Sequence, residues 1–122
     1  MKRILLCLMV ALFATGCLFA KNNDEKMNVM SYNIRYDNSG DKDNQWKFRR
    51  DFAADLVKFH EADVFRAQEV LNNQLNDLLD RLPEYAYVGV GREDGKTKGE
   101  YAPIFYRKDR FSVEKSGNFW LA

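Results

Sequence analysis

Beyond residue 17 the sequence contains no cysteine: Cys7 and Cys17 are the only two in 122 residues. The domain that follows them therefore has no disulfide and no thiolate-held metal, and its stability rests on packing. An excess of one charge sign is missing too. Nineteen Lys and Arg stand against eighteen Asp and Glu, a formal net charge of +1. That balance gives no general electrostatic grip on a polyanion and implies no stable nucleic-acid partner. Histidine, the side chain that titrates near neutral pH, occurs once, as His60. Nor does any hydrophobic run reach the roughly 20 residues that a helix needs to cross a bilayer. There is no internal repeat or low-complexity segment. What is present, 122 residues of which 46% are hydrophobic, suffices for one small core and not for two.

The opening of the chain differs from the rest. Lys2 and Arg3 precede an apolar run from Ile4 to Ala14, followed by small residues around Gly16 and Ala20. This is the layout of a secretory signal over residues 1–20. Two processing routes remain open: cleavage after Leu18-Phe19-Ala20, or acylation of Cys17 in Ala14-Thr15-Gly16-Cys17, a box similar to that of bacterial lipoproteins. The second would attach the protein to a membrane through Cys17. The expected location is the periplasm, the outer membrane or the outside. Residues 21–27 are polar and aperiodic, a tether, and the domain spans 28–122.

From Val29 the letters alternate with a period of two through Ile34, which predicts a buried strand. Asp37 to Asn44 is dense in Asp, Asn, Ser and Gly and predicts a loop. Phe52, Ala53, Leu56, Val57 and His60 recur at helical spacing, so they predict a helix with that stripe inward and His60 as a packed imidazole. Asp63 to Val70 predicts a second strand. Leu71, Leu75, Leu78, Leu79 and Leu82 predict a second helix that stops before Pro83. Strand, helix, strand, helix implies two parallel strands whose carboxyl ends share one edge. Beyond Pro83, Tyr85 to Val90 and Ile104 to Tyr106 predict antiparallel strands around a polar hairpin tip, with a further strand at Ser112 to Leu121. The fold class is α/β.

Sites in open α/β sheets gather at the carboxyl edges of strands. Two polar strand ends fall there. Glu69 offers a carboxylate to a hard divalent cation, or it merely complements the positive end of the following helix. Asn33 orients a phosphate or that carboxylate, or it is a turn residue. Position alone leaves both pairs of readings open.

Met30-Ser31-Tyr32-Asn33-Ile34-Arg35, followed one amphipathic helix later by Asp63-Val64-Phe65 and Gln68-Glu69, resembles the start of the endonuclease/exonuclease/phosphatase superfamily. The resemblance runs from Val29 to about Leu121. Arg35-Tyr36-Asp37-Asn38, with Trp46 and Arg50, is similar to an exported bacterial branch. The resemblance implies the N-terminal half of a four-layer α/β sandwich, of the deoxyribonuclease-like fold. It further implies hydrolysis of a phosphoester, by a phosphodiesterase or phosphatase, with Mg2+ or Mn2+ as cofactor. Residue by residue, Glu69 matches the metal-binding glutamate and Asn33 the active-site asparagine. Tyr106-Arg107 resembles an aromatic-basic pair that approaches phosphate in some members.

Two departures from the family pattern stand out. Arg66 occupies a position where a small residue is usual, and a long cation there must reach solvent or find a carboxylate. The family's later G-D-x-N and Ser-Asp-His segments do not occur in these 122 residues. The expectation is an N-terminal part of the domain with little or no turnover of its own. The competing expectation is a non-catalytic envelope domain that binds a ligand, or a truncated relic. The sequence leaves the identity of the phosphoester substrate open.

Overall fold

A computed structural model describes residues 26–121. The signal segment, both processing routes and Cys17 lie outside the described residues.

Four strands and two helices make a two-layer α/β unit. Strand β1 (Val29–Asn33) is followed by helix α1 (Trp46–Phe59), β2 (Val64–Gln68), α2 (Asn72–Arg81), β3 (Tyr85–Val88) and β4 (Ile104–Arg107). The sheet order is β1-β2-β4-β3. β1 and β2 run parallel with Asn33 opposite Gln68, while β4 is antiparallel to both of its neighbours. The mixed α/β class agrees with the sequence, as does the parallel first pair.

Alternation in the strands decides which face is covered. In β2, Phe65 and Ala67 are fully buried and Arg66 between them is exposed. Phe65 stacks on Phe105 of β4 with ring centroids 4.5 Å apart and meets Tyr85 edge-on at 5.5 Å. Such pairs add about 0.5–1.5 kcal/mol to the burial of the rings. Both helices cover this face, with Trp46, Ala53, Ala54 and Val57 of α1 and Leu75 and Leu78 of α2 in one core with the strand residues. Among the described residues no helix covers the other, more open sheet face, on which residues 116–119 and Leu121 line a hollow with Ile104. Arg66 lies on this face in register with Ser31 and Ile104, and so takes the first of the two routes available to a long cation: it reaches solvent.

Three expectations need correction. The stripe of α1 that faces inward is Trp46, Ala53, Ala54 and Val57, whereas Phe52 is 66% exposed and His60 is exposed. At roughly 100° per residue the two stripes differ by less than one residue step. Ala53 and Ala54 are each 1% exposed in that stripe, and the Trp46 indole is held by α2, because its Nε1 donates to Asp77 Oδ2 at 2.7 Å. The 37–44 segment is not wholly irregular, since Ser39–Asn44 forms a 3-10 helix kinked at Lys42 and begun by Asn38, whose side chain accepts from Gly40 N. Finally, Ser112 to Leu121 forms no strand. Its apolar side chains are exposed, Phe119 at 83% among them, so nothing fixes the alternation that the letters carry.

Candidate functional site

The carboxyl edge of the parallel pair brings the two predicted residues into contact. Asn33 ends β1, and its Nδ2 donates to Glu69 Oε1 at 2.8 Å. The other carboxylate oxygen, Oε2, receives the Tyr36 backbone N–H at 3.4 Å, while the Arg35 N–H donates to Asn33 Oδ1 at 2.9 Å. Both residues at the bends are in the left-handed region, Arg35 at φ 62° and Glu69 at φ 57°. For non-glycine residues this conformation is uncommon and persists only where surrounding contacts hold it. Here it turns the end of each strand so that its polar groups face the other strand.

The hydrogen-bond partners of Glu69 lie at the end of β1 and just beyond it. Its carboxylate turns away from the start of α2 and toward β1, and the N–H of Leu71 just before α2 goes instead to Gln74 Oε1 at 3.0 Å. The Asn33 amide, then the Tyr36 N–H, and the nearby Arg35 cation hold the Glu69 carboxyl below its usual range. It is ionised at neutral pH. Arg35 is itself tied to Asp41, donating through Nε to Oδ2 and through Nη2 to Oδ1, each at 3.1 Å.

Asn33, Gln68 and Glu69 form one wall of an open cleft of about 540 Å³, with Tyr101, Ala102 and the 118–121 segment opposite. Among the described residues Arg92 is the one cation lining it, and it pairs with Glu100 at 3.3 Å. The Trp120 indole donates to Arg92 O at 2.8 Å, which seats the 118–121 segment at the rim. Gln68 Nε2 donates to Ser31 Oγ at 3.1 Å across the open sheet face.

The remaining predicted residues lie elsewhere. Because β4 runs antiparallel, Tyr106 pairs with Val64 and the Arg107 N–H reaches Asp63 O. This is the amino edge of β2, roughly 20 Å from Glu69 at about 3.3 Å per residue. Arg107 is bound there to Asp109 through two hydrogen bonds, of 3.0 and 2.6 Å. The family resemblance implied a phosphate contact for this pair; strand direction carries it to the end of the sheet opposite Glu69. His60 lines a separate hollow with Met27, Asn28 and Val29. Trp46 and Arg50, part of the resemblance, meet at Asp77 and join the two helices.

Two contributors escaped the sequence reading. The backbone N–H of Tyr36 has no letter signal. Gln74 has one, its place three residues after Leu71, where a glutamine can reach back to the helix start.

As for a metal, Glu69 is an ionised oxygen donor, partly exposed at the cleft, with one oxygen accepting only the long Tyr36 contact. Among the described residues no three His, Cys, Asp or Glu side chains cluster as a complete ligand set. A single carboxylate completed by water and substrate oxygens is a mode that Mg2+ uses, so the donor present fits such a cation.

Comparison with known proteins places this geometry in context. No protein-family model and no curated protein matches the chain. Solved structures do. An endonuclease/exonuclease/phosphatase from Bacteroides vulgatus is 55% identical over 75% of this chain, with a TM-score of 0.74, and the match covers 35% of that protein. A family protein from Bacteroides thetaiotaomicron is 44% identical over 77% of this chain, with a TM-score of 0.75, again covering 35% of its length. A mannosyl-6-phosphatase from the same species is 43% identical over 78% of this chain, with a TM-score of 0.76 and 36% of its own length covered. The chain thus spans about a third of each solved structure.

Proposed function

Since the chain belongs to the endonuclease/exonuclease/phosphatase family, we propose that it supplies one part of the active site of an exported, metal-dependent phosphoester hydrolase. The observation that carries this reading is the clamp on Glu69, an ionised carboxylate held by Asn33 and Tyr36 at the edge of an open cleft. Glu69 would hold Mg2+ or Mn2+, and the bound cation would neutralise charge that develops on the phosphoryl oxygens. Asn33 orients Glu69 with one amide N–H. Its Oδ1 is taken by Arg35 N, which leaves the second amide N–H for a phosphoryl oxygen. Arg92 at the rim adds a guanidinium whose fork suits a phosphate.

Among phosphoesters, the similarity to a mannosyl-6-phosphatase favours a sugar phosphate monoester over a diester. Residues 1–20 direct export, with Cys17 as the site of membrane attachment if it is acylated. The 122 residues by themselves hydrolyse little or nothing, because the one histidine, His60, borders a different hollow from the cleft.

Manganese binding, followed through the electron paramagnetic resonance signal of the free ion, tests the reading. The chain is expected to bind Mn2+, and Glu69→Gln to weaken binding at least tenfold while the thermal melt in the absence of metal is retained. Equal binding by both chains would refute the assignment of Glu69. In the full-length protein, release of phosphate from mannose 6-phosphate should require the cation and be lost in Glu69→Gln. A phosphodiester cleaved in preference would reverse the substrate assignment.

A further inference from the structure

Gln74 is a fully buried polar side chain, and both ends of its amide are engaged by backbone groups. Its Oε1 accepts from Asp37 N and from Leu71 N, both at 3.0 Å, and its Nε2 donates to Arg35 O at 2.8 Å. These three groups belong to two chain segments, Arg35–Asp37 and the bend before α2, which also meet through Asn33 and Glu69 and beside the Asn73–Asp37 contact. Arg35 to Asp37 is the loop that presents the Tyr36 N–H to Glu69. Leu71 is two residues past Glu69 and fixes the bend on which that carboxylate stands.

We infer that Gln74 is a positioning residue that sets the aim of the Glu69 carboxylate by clamping the Arg35–Asp37 loop to the bend before α2. The inference rests on the cation-binding reading of Glu69 and deepens it. Two left-handed residues lie in the clamped segments, Arg35 and Glu69. Such conformations need outside contacts to persist, and Gln74 bonds Arg35 directly and, through Leu71, the bend that holds Glu69. An amide is required because both a donor and a double acceptor are used. A glutamate of the same shape would accept from Asp37 N and Leu71 N but would set an oxygen against Arg35 O. A methionine of similar volume would offer no donor to Arg35 O.

Hydrogen-bond partners that orient a metal ligand typically change metal affinity about 10–100-fold when altered. The test is therefore the Mn2+ affinity of Gln74→Glu and Gln74→Met, with the metal-free thermal melt of each. Leu78→Ala, a core substitution in the same helix, is the comparison for a purely structural loss. The expected result is weaker Mn2+ binding by at least tenfold in both Gln74 variants, with Leu78→Ala melting lower and binding Mn2+ as before. Unchanged affinity in folded Gln74 variants overturns the inference, and so does failure of both to fold, which would make Gln74 structural. Glu69→Gln separates the two levels. If it leaves Mn2+ affinity unchanged, the site reading itself fails; if it abolishes binding while the Gln74 variants bind normally, only the role of Gln74 is lost.

Discussion

Asp63 shows how much one buried carboxylate depends on its immediate partners. It is 3% exposed, accepts the Asn28 N–H at 2.8 Å and pairs with Arg110. The Asn28 N–H, and then the Arg110 guanidinium, hold its carboxyl below the usual range against the opposing effect of burial. A carboxyl depressed in the folded state contributes stability that is present above its unfolded value, about 3.9. That contribution is lost as pH falls through the lower folded value. Urea midpoints at pH 6 and pH 3 should therefore differ less in Asp63→Asn than in the unaltered chain, the other depressed carboxylates accounting for the remaining difference. An identical pH response in both would mean that Asp63 gains nothing from ionising. At this scale the sequence was legible where a residue type fits one job: Asn33 and Glu69 meet as strand direction and spacing predicted. It was illegible where the partner is a backbone group, as with Tyr36, or where the face is decided by distant contacts, as with Phe52 and His60.

Between the helices, the organising group is Asp77, which accepts from the Trp46 indole at 2.7 Å and from Arg50 at 3.3 Å and takes Arg81 at 3.4 Å. Removing it leaves a buried indole N–H and a guanidinium short of a partner. Among the described residues the Arg50 Nε already has none. Asp77→Ala should cost about 1–3 kcal/mol, the range for a buried donor left unsatisfied, read as a lower midpoint in differential scanning calorimetry. Asp77→Asn keeps an acceptor for the indole and should cost less. A loss in Asp77→Asn as large as that in Asp77→Ala would show that charge, not the hydrogen bond to Trp46, joins the helices. Helix positions were legible from the leucines of α2, which repeat at one spacing on one face. The rotation of α1 was not, because its three phenylalanines point outward and its alanines, weak in hydrophobic pattern, lie in the buried stripe.

On the scale of the whole molecule, both helices cover one sheet face, and among the described residues no helix covers the other. Ile104 at 42% and Val29 at 65% exposure lie on the open face, while Phe48, Phe52 and Phe59 of α1 are exposed on the far side of the helix layer. These are two separate apolar surfaces. The fluorescence of a dye that binds exposed apolar surface should fall in Ile104→Thr and in Phe52→Ser by amounts that add in the double variant, since the sites are far apart and share no partner. Non-additive losses would indicate a single patch. The α/β class and the order of the first four elements could be read from periodicity. The open face could not be located from Arg66 alone, because a cation on a strand is compatible with either a paired interior or a wet exterior.

The contact between Asn33 and Glu69 spans 36 positions in the chain. It joins the ends of β1 and β2 across the whole of α1, so closing it restricts a long stretch of chain. A ligand that binds the closed arrangement and not the open chain shifts that equilibrium by mass action. If Glu69 holds a cation as proposed, cation concentration acts on the refolding of the β1-α1-β2 unit, and where the cation is scarce the same residues reach their native arrangement less completely.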